Sequence, residues 1–449
     1  MILTTGPDFR SRHVAPGGET GAMLRDALPA RREARRQLVG TLFSSLGRGL
    51  TLPFLFIYLT EVRHLPGSSV GLAIGWFGLL TLLLSPLGGA LIDRYGARRV
   101  VLPALALSSL GSGSLALVGT VWQAFAALTV CGLGGATIWA GQNTIMTTLT
   151  SDQERQRVFG LQFALLNLGI GVGSALAGSV VDVARPGTFQ FIYLADMLCY
   201  AGPFVILLTM PQVGRRLVRD EPAAGRRASG GYAQVLRHRP FRRLMIFSVL
   251  LTVSGYAQLE VGFTGFATKV AGASTRIVGY SFTCNTIVIV LAQLLVIRML
   301  QGRSRTRALM TVGALFAAAW LVLGVAGYVD GRDSVVSAVG VIAFGGIFAL
   351  GETLLSPINP ALVNELASDE LRGRYNALSS MVWGISAVIA PVSAGPLLAA
   401  GLGGVWIVLV AVGCLAASAV AFTLRGLITA EQDGLPAPAP APAPVLSHA

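Results

Sequence analysis

The chain has 449 residues, 53% of them hydrophobic and only 12% charged, with a mean hydropathy of +0.68. That leaves too little polar surface to cover a water-soluble globule, so a membrane protein is expected. The formal net charge of +13 would suggest nucleic acid in a soluble protein, but the positive residues fall between apolar segments rather than on one face, which excludes nucleic acid as a partner.

Residues 1–36 are rich in arginine and lack the short apolar core and small-residue cleavage site of a signal peptide, so they read as a basic cytoplasmic tail. Twelve apolar runs long enough to cross the hydrocarbon as helices follow, near 37–61, 67–92, 99–119, 121–146, 158–182, 188–210, 244–268, 276–298, 307–328, 334–357, 374–400 and 403–424. The expected fold class is an all-α membrane protein of two pseudo-symmetric six-helix bundles, 37–210 and 244–425. A polar cytoplasmic linker, 211–243, joins them, and a Pro/Ala-rich cytoplasmic tail, 426–449, ends the chain in PAPAPAPAP. With the N-terminus in the cytoplasm, 28 of the 34 Lys and Arg fall on cytoplasmic segments, 5 on outer loops and 1, Arg48, within span 1. The positive-inside rule therefore places both termini in the cytoplasm. SDQERQRVFGL (151–161) after span 4 and SDELRGRYNAL (368–378) after span 10 share Ser, Asp, both Arg and the final Leu, the mark of an internal duplication.

The stretch GGALIDRYGARRVV (88–101) lies in the loop after span 2. It resembles the G-x-L-x-D-R-x-G-R-R signature of the major facilitator superfamily, with Gly89, Leu91, Asp93, Arg94, Gly96 and Arg98 in register and Ala97 in place of the usual arginine. The resemblance covers residues 37–425 and implies the superfamily's fold, with spans 1, 4, 7 and 10 lining a central cavity. It also implies that Asp93 latches the cytoplasmic side of the first half against span 11, with Asp369 and Glu370 as partners for Arg94 or Arg98. The copy expected between spans 8 and 9, QGRSRTR (301–307), keeps Gly302 and the arginines but no acid, so one strong and one weak gate would follow. Gly160, Gly169, Gly173 and Gly178 in span 5 resemble the glycine motif of the superfamily's drug exporters, with Ser174 where a proline is usual. Small residues there would bring span 5 close to span 8. The exporters' span 4 arginine is missing, Leu128 standing in its place.

Ionisable residues within spans are costly and each is a functional candidate. Arg48 lies mid-span between Gly47 and Gly49 and needs a counter-charge; Glu352, Glu260 and Asp196 are the acids of spans 10, 7 and 6. On the superfamily plan Arg48, Gln142, Asn143, Gln258, Glu260 and Glu352 surround one cavity, with Asp196 a further candidate. Burial and a nearby arginine pull a carboxyl's proton affinity in opposite directions, and alternating access changes both, so Glu260 or Glu352 is the expected proton-linked group, with Arg48 its partner or an anion contact. Glu61 and Asp182 read as water-facing charges at helix ends, and Tyr58, Trp139, Phe263, Trp320 and Trp383 as candidates for a lipophilic pocket. Pro357 and Pro360 are expected to bend or end span 10. The four cysteines all lie in apolar runs and the four histidines all outside them, so no metal site is expected.

The expected function is proton-coupled efflux of small amphipathic molecules. A nutrient importer of the same fold is the alternative, and a membrane-embedded enzyme or transporter-like receptor a third. No HExxH, triad or Walker loop supports an enzyme or an ATP-driven pump. The proton motive force would be the driving force, with no cofactor. The partners would be a small-molecule substrate, protons and the lipid bilayer around a monomer. Abundant Ala and Gly, with arginine used almost to the exclusion of lysine, suggest a GC-rich bacterial genome and a place in the bacterial cytoplasmic (inner) membrane.

Overall fold

The computed structural model describes residues 29–215, 232–300, 302–328, 334–368 and 371–435. Backbone polar groups in lipid must be satisfied within their own segment, so each apolar run becomes a helix. The first half holds α1 (Arg32–Val62), α2 (Gly67–Tyr95), α3 (Ala97–Leu115), α4 (Val121–Leu149), α5 (Asp152–Val180) and α6 (Pro186–Leu208). The second opens on α7, a bent pair (Arg239–Leu259 and Gly262–Lys269) meeting at 48°. It continues with α8 (Thr275–Leu300), α9 (Arg305–Tyr328), α10 (Val335–Leu366), α11 (Arg372–Ala399) and α12 (Gly403–Leu424). Ten of these are long and apolar enough to cross a membrane singly, and α7 makes an eleventh. The helix outside that set is α3, which opens on Arg98 and Arg99 and carries Ser108, Ser109, Ser112 and Ser114. Those serines lower its hydropathy while helping it pack: Ser109 bonds the Met197 carbonyl of α6 at 2.9 Å.

Helix bounds differ from the hydropathy reading where charge and helicity part company. α1 starts at Arg32 rather than 37, because an arginine-rich turn outside the lipid still makes helical hydrogen bonds. α7 begins at Arg239 rather than 244, preceded by a short helix, Tyr232–Arg237. α10 runs unbroken through Pro357 and Pro360 to Leu366, so neither proline ends it. Two breaks were not anticipated. α1 passes through a 3-10 turn at Leu52–Phe54, where Pro53 removes a donor, and α7 through another at Tyr256–Leu259, after Gly255.

The halves share one plan. α1 packs on α5 and α6 as α7 packs on α11 and α12, and α3 bridges α4 and α6 as α9 bridges α10 and α12. The duplication extends to the segment after each sixth helix. Thr209, Gln212 and Gly214 recur as Thr429, Gln432 and Gly434, with φ of 68° and 80° at the two glycines. Each segment folds back on the loop between the second and third helices of its half: Arg98 N donates to Gly214 O and Arg305 N to Asp433 O, at 2.9 and 2.8 Å. In the second half the buried Asp433 carboxylate also accepts from Ser304 Oγ (2.6 Å) and Thr306 N (2.8 Å) at the start of α9. The α8–α9 loop thus lacks an acid in sequence but obtains one from beyond α12.

The halves meet along α2–α11 and α5–α8. On α2 a stripe of Gly67, Gly71, Gly75 and Gly78 lies against Ala399, Gly395, Val392 and Ala387 of α11. On α5, Gly171 and Gly178 lie against Thr286 and Gly279 of α8. Thr275, Thr283 and Thr286 donate across the same seam to the carbonyls of Val181, Gly171 and Asn167 at 3.1 to 3.4 Å. All these positions lie in the half of the bundle farther from Arg32 and Leu435, here called the far face; the face bearing those ends is the terminal face.

Candidate functional site

Near the centre, Arg48 of α1 reaches across to Glu260 of α7, Nη2 to Oε1 3.8 Å, with 57% and 40% of the two side chains exposed. A pair joining the halves can be that exposed only if the halves part beside it into a cleft. Toward the far face the cleft is shut. Lys269 of α7 pairs with Glu61 of α1 at 3.1 Å and lies 5.6 Å from the Phe56 ring, and Phe56 packs against Gly265. The opening therefore faces the terminal side. There, Gly89 on α2 and Gly160 on α5 continue the two glycine stripes by helical register but have open space where a side chain would start.

The glycines flanking Arg48 serve the back of α1. A Cβ on Gly47 would lie 2.2 Å from Oδ1 of Asp196, and one on Gly49 2.3 Å from the Ile170 carbonyl oxygen of α5. With α1 held that close to α5 and α6, the next residue is turned toward the cleft. Asp196 therefore lies behind α1 rather than in the cavity: it is 5% exposed, and its Oδ2 accepts from Ser112 Oγ of α3 (2.6 Å) and Thr51 Oγ1 of α1 (3.3 Å).

Glu352 of α10 does not meet Arg48. Asn285 Nδ2 of α8 donates to its Oε2 at 2.5 Å, and Tyr256, at the α7 break, lies beside it. Gln258, expected in the cavity, is 3% exposed and structural: its Nε2 donates to Val253 O (3.0 Å) and its Oε1 accepts from Trp406 Nε1 (3.1 Å), which braces the break in α7 against α12. Gln142 is likewise buried rather than cavity-lining, while the half-buried Asn143 accepts from Gln162 of α5 at 3.3 Å. Tyr58, Phe263 and Trp320 are buried in helix packing, whereas Trp139 and Trp383 stay about half exposed, Trp383 meeting the Tyr256 ring edge-on at 4.8 Å.

Of the signature residues, Gly96 takes φ 87°, which lets α2 turn directly into α3. Arg98 donates to the Leu207 and Leu208 carbonyls at the end of α6 (2.5 and 3.2 Å), within its own half rather than toward α11. Arg94 is exposed, its guanidinium 5.3 Å from the Tyr95 ring. The Asp93 side chain, Asp369 and Glu370 lie outside the described residues. The α5 motif divides its work: Gly169 and Gly173 face Ser45 and Leu46 of α1, and only Gly178 faces α8. Asp182 is half-buried at the end of α5, and its hydrogen bond from Arg185 holds its carboxyl below the usual carboxylate range. Glu61 instead joins the halves. Tyr256, Asn285 and Lys269 were missed. Asn285 is one of two amides, with Gln293, in an apolar run and Lys269 is the single lysine of the chain, so both left a signal, whereas a tyrosine in a greasy run does not.

The family model described as Major Facilitator Superfamily matches residues 38–350. An uncharacterised MFS-type transporter, YqjV of Bacillus subtilis, is 24% identical over 341 residues, 75% of this chain and 80% of the relative. Multidrug resistance protein MdtH of Aeromonas hydrophila is 25% identical over 361 residues, 78% and 84% of the two chains. The structure of a POT family transporter in complex with 5-aminolevulinic acid superposes with a TM-score of 0.73 at 15% identity, covering 90% of this chain and 99% of that one, a likeness of fold.

Proposed function

The chain belongs to the major facilitator superfamily and is a multi-pass membrane transporter rather than an enzyme, and from that premise we propose that it exports small amphipathic molecules by alternating access in exchange for protons. The observations that carry this reading are two ion pairs between the halves, Glu61–Lys269 toward the far face and the half-exposed Arg48–Glu260 near the centre. A solvated pair of that kind contributes at most about 1 kcal/mol, so a ligand or a proton can displace either member. The charge count supports a cytoplasmic terminal face, and on this reading the structure is the cytoplasm-open state of a transporter that works as a monomer in the bacterial inner membrane. Closing that side brings Gly89 and Asp93, and Gly160 across the molecule, onto α11 and α8 along stripes already in contact farther up. That motion gives the signature its latching role, accounts for glycines that meet nothing in this state, and parts Glu61 from Lys269.

Protons enter through the carboxyls of the cleft. Glu260 faces Arg48, and Glu352 holds Asn285 beside Tyr256 at the α7 break; neutralising either changes what holds α7 in place. Export rather than import is supported by the likeness to a multidrug resistance protein and by the sparsely charged cleft. The test uses inside-out vesicles energised with a proton gradient and ethidium as the probe. Wild-type vesicles should take up the dye and release it when the gradient is collapsed, with E260Q or E352Q abolishing uptake. Gradient-independent uptake equal in all three would sink the proton-coupled reading, and uptake only with the opposite gradient would point to import.

A further inference from the structure

Asp196 is the only charged residue of α6 between Pro186 and Leu208, and it is sealed between α1, α3 and α6. Its Oδ2 accepts two hydroxyls. Its Oδ1 has no hydrogen-bond partner and rests against the bare backbone of Gly47. The titratable and charged groups that act on it are Arg48 from α1, Cys131 from α4, and Tyr193, Cys199 and Tyr200 from α6 itself; Arg48 is the cation of that set, and its guanidinium is turned to Glu260. A buried carboxylate without a cation is costly, and a neutral carboxyl far less so. The neutral form needs an acceptor for its own proton, and the two hydroxyls can provide one. Ser112 Oγ also lies 3.4 Å from the Tyr193 carbonyl oxygen and Thr51 Oγ1 3.3 Å from that of Gly47. Each hydroxyl can donate to the carboxylate when it is charged, or to its carbonyl while accepting from the acid when it is neutral. The site tolerates both protonation states without moving the backbone.

We propose that Asp196, with Ser112 and Thr51, is a second proton site and the alternate partner of Arg48. The inference rests on the proton-coupled reading above and deepens it. In the state seen, Asp196 keeps its proton while Arg48 serves Glu260. When Glu260 takes a proton from the water of the cleft, Arg48 is released from it and turns to the back of α1, and Asp196 gives up its proton. Thr51, a partly exposed residue, is the route by which that proton reaches water. Net charge among the three groups is zero before and after, so the arginine never lacks a counter-ion. Thr51 is the last residue before the 3-10 turn of α1, which places the exchange where that helix can move.

The test is infrared difference spectroscopy of the purified full chain in lipid nanodiscs between acid and alkaline pH, reading the carbonyl stretch of neutral carboxyls. D196N should remove one component of that band, and E352Q should leave the same component in place. E260Q, which frees Arg48, should make the Asp196 component disappear at about tenfold higher proton concentration, the effect of an arginine arriving beside a carboxylate. S112A keeps the carboxyl and should move the same component, so the reading does not depend on D196N folding well. A band that D196N leaves intact, or an Asp196 component that E260Q does not shift, overturns the proposal. Proton release on adding ethidium separates the two levels. Loss in E260Q or E352Q but not in D196N leaves the transport reading standing and removes this one, whereas release unchanged in all three removes both.

Discussion

The two halves share one plan but weight their packing differently. In the first, helices meet through absent side chains: Gly49 on Ile170, Gly169 and Gly173 on α1, Gly111 and Gly134 across α3 and α4. The second has such approaches too, Gly313 on Cys414 and Gly345 on Ser281, but adds a larger cluster of rings. Phe316 stacks on Phe348 at 3.9 Å, Phe263 on Phe344 at 4.6 Å, and Trp320 and Trp406 close the cluster at 5.2 Å. Lipid tails are as apolar as these side chains, so neither arrangement gains much from leaving lipid; both depend on fit. Backbone-to-backbone contact allows no adjustment, whereas ring packing leaves crevices. One of these lies beside the half-exposed Trp383 and is lined by Ser248, Thr252 and Asn359. We read the first half as the rigid part that holds Arg48 and Asp196 in register, and the second as the adaptable part, with its break in α7 beside Tyr256 and Glu352.

Substitutions can break that contrast. Gly49→Ala should cost most, about 3 kcal/mol, the upper end for overpacking, because the carbonyl and Cα of Ile170 are backbone and cannot yield. Thermal unfolding in detergent measures it, and a silent substitution would refute the rigid first half. Trp320→Ala should cost about 2 kcal/mol, below the usual range for a lost ring, since lipid offsets the transfer cost and only the void remains. Were its loss larger than that of Gly49→Ala, the contrast would be reversed. Asp433→Ala should cost about 1 to 2 kcal/mol by leaving Thr306 N and Ser304 without their acceptor, with Asp433→Asn recovering part of it. Gly89→Ala and Gly160→Ala should be smallest and of opposite sign, each stabilising this open state by about 0.5 to 1 kcal/mol while slowing turnover. Unchanged transport in both would argue against closure along those stripes.

Much of the architecture was legible because lipid leaves few options. Twenty apolar residues must be helical, and the matching segments at 151–161 and 368–378 marked two related halves. The site was legible only as a list of expensive residues. Arg48, Glu260, Glu352 and Asp196 stood out by charge alone, but their partners did not. The glycines flanking Arg48 carry no sign in the sequence of what they make room for, which is Asp196 and Ile170. Gln142 and Gln258 looked like cavity groups because a polar side chain mid-span carries no sign of which side of its helix is dry. The acid missing from residues 301–307 arrives from residue 433, which local spacing cannot show.

By itself the sequence determined that this is a helical membrane protein with a duplicated plan, a signature loop after the second helix and a few buried charges, since hydropathy, charge and short motifs are local quantities. Only the tertiary structure decided that Arg48 meets Glu260 while Asp196 lies behind it, that Glu352 belongs to Tyr256 and Asn285, and that the cleft opens on the terminal face. Those are relations between helices distant in the chain. They depend on which face each helix turns inward, which is settled by backbone approaches of a few ångströms at individual glycines.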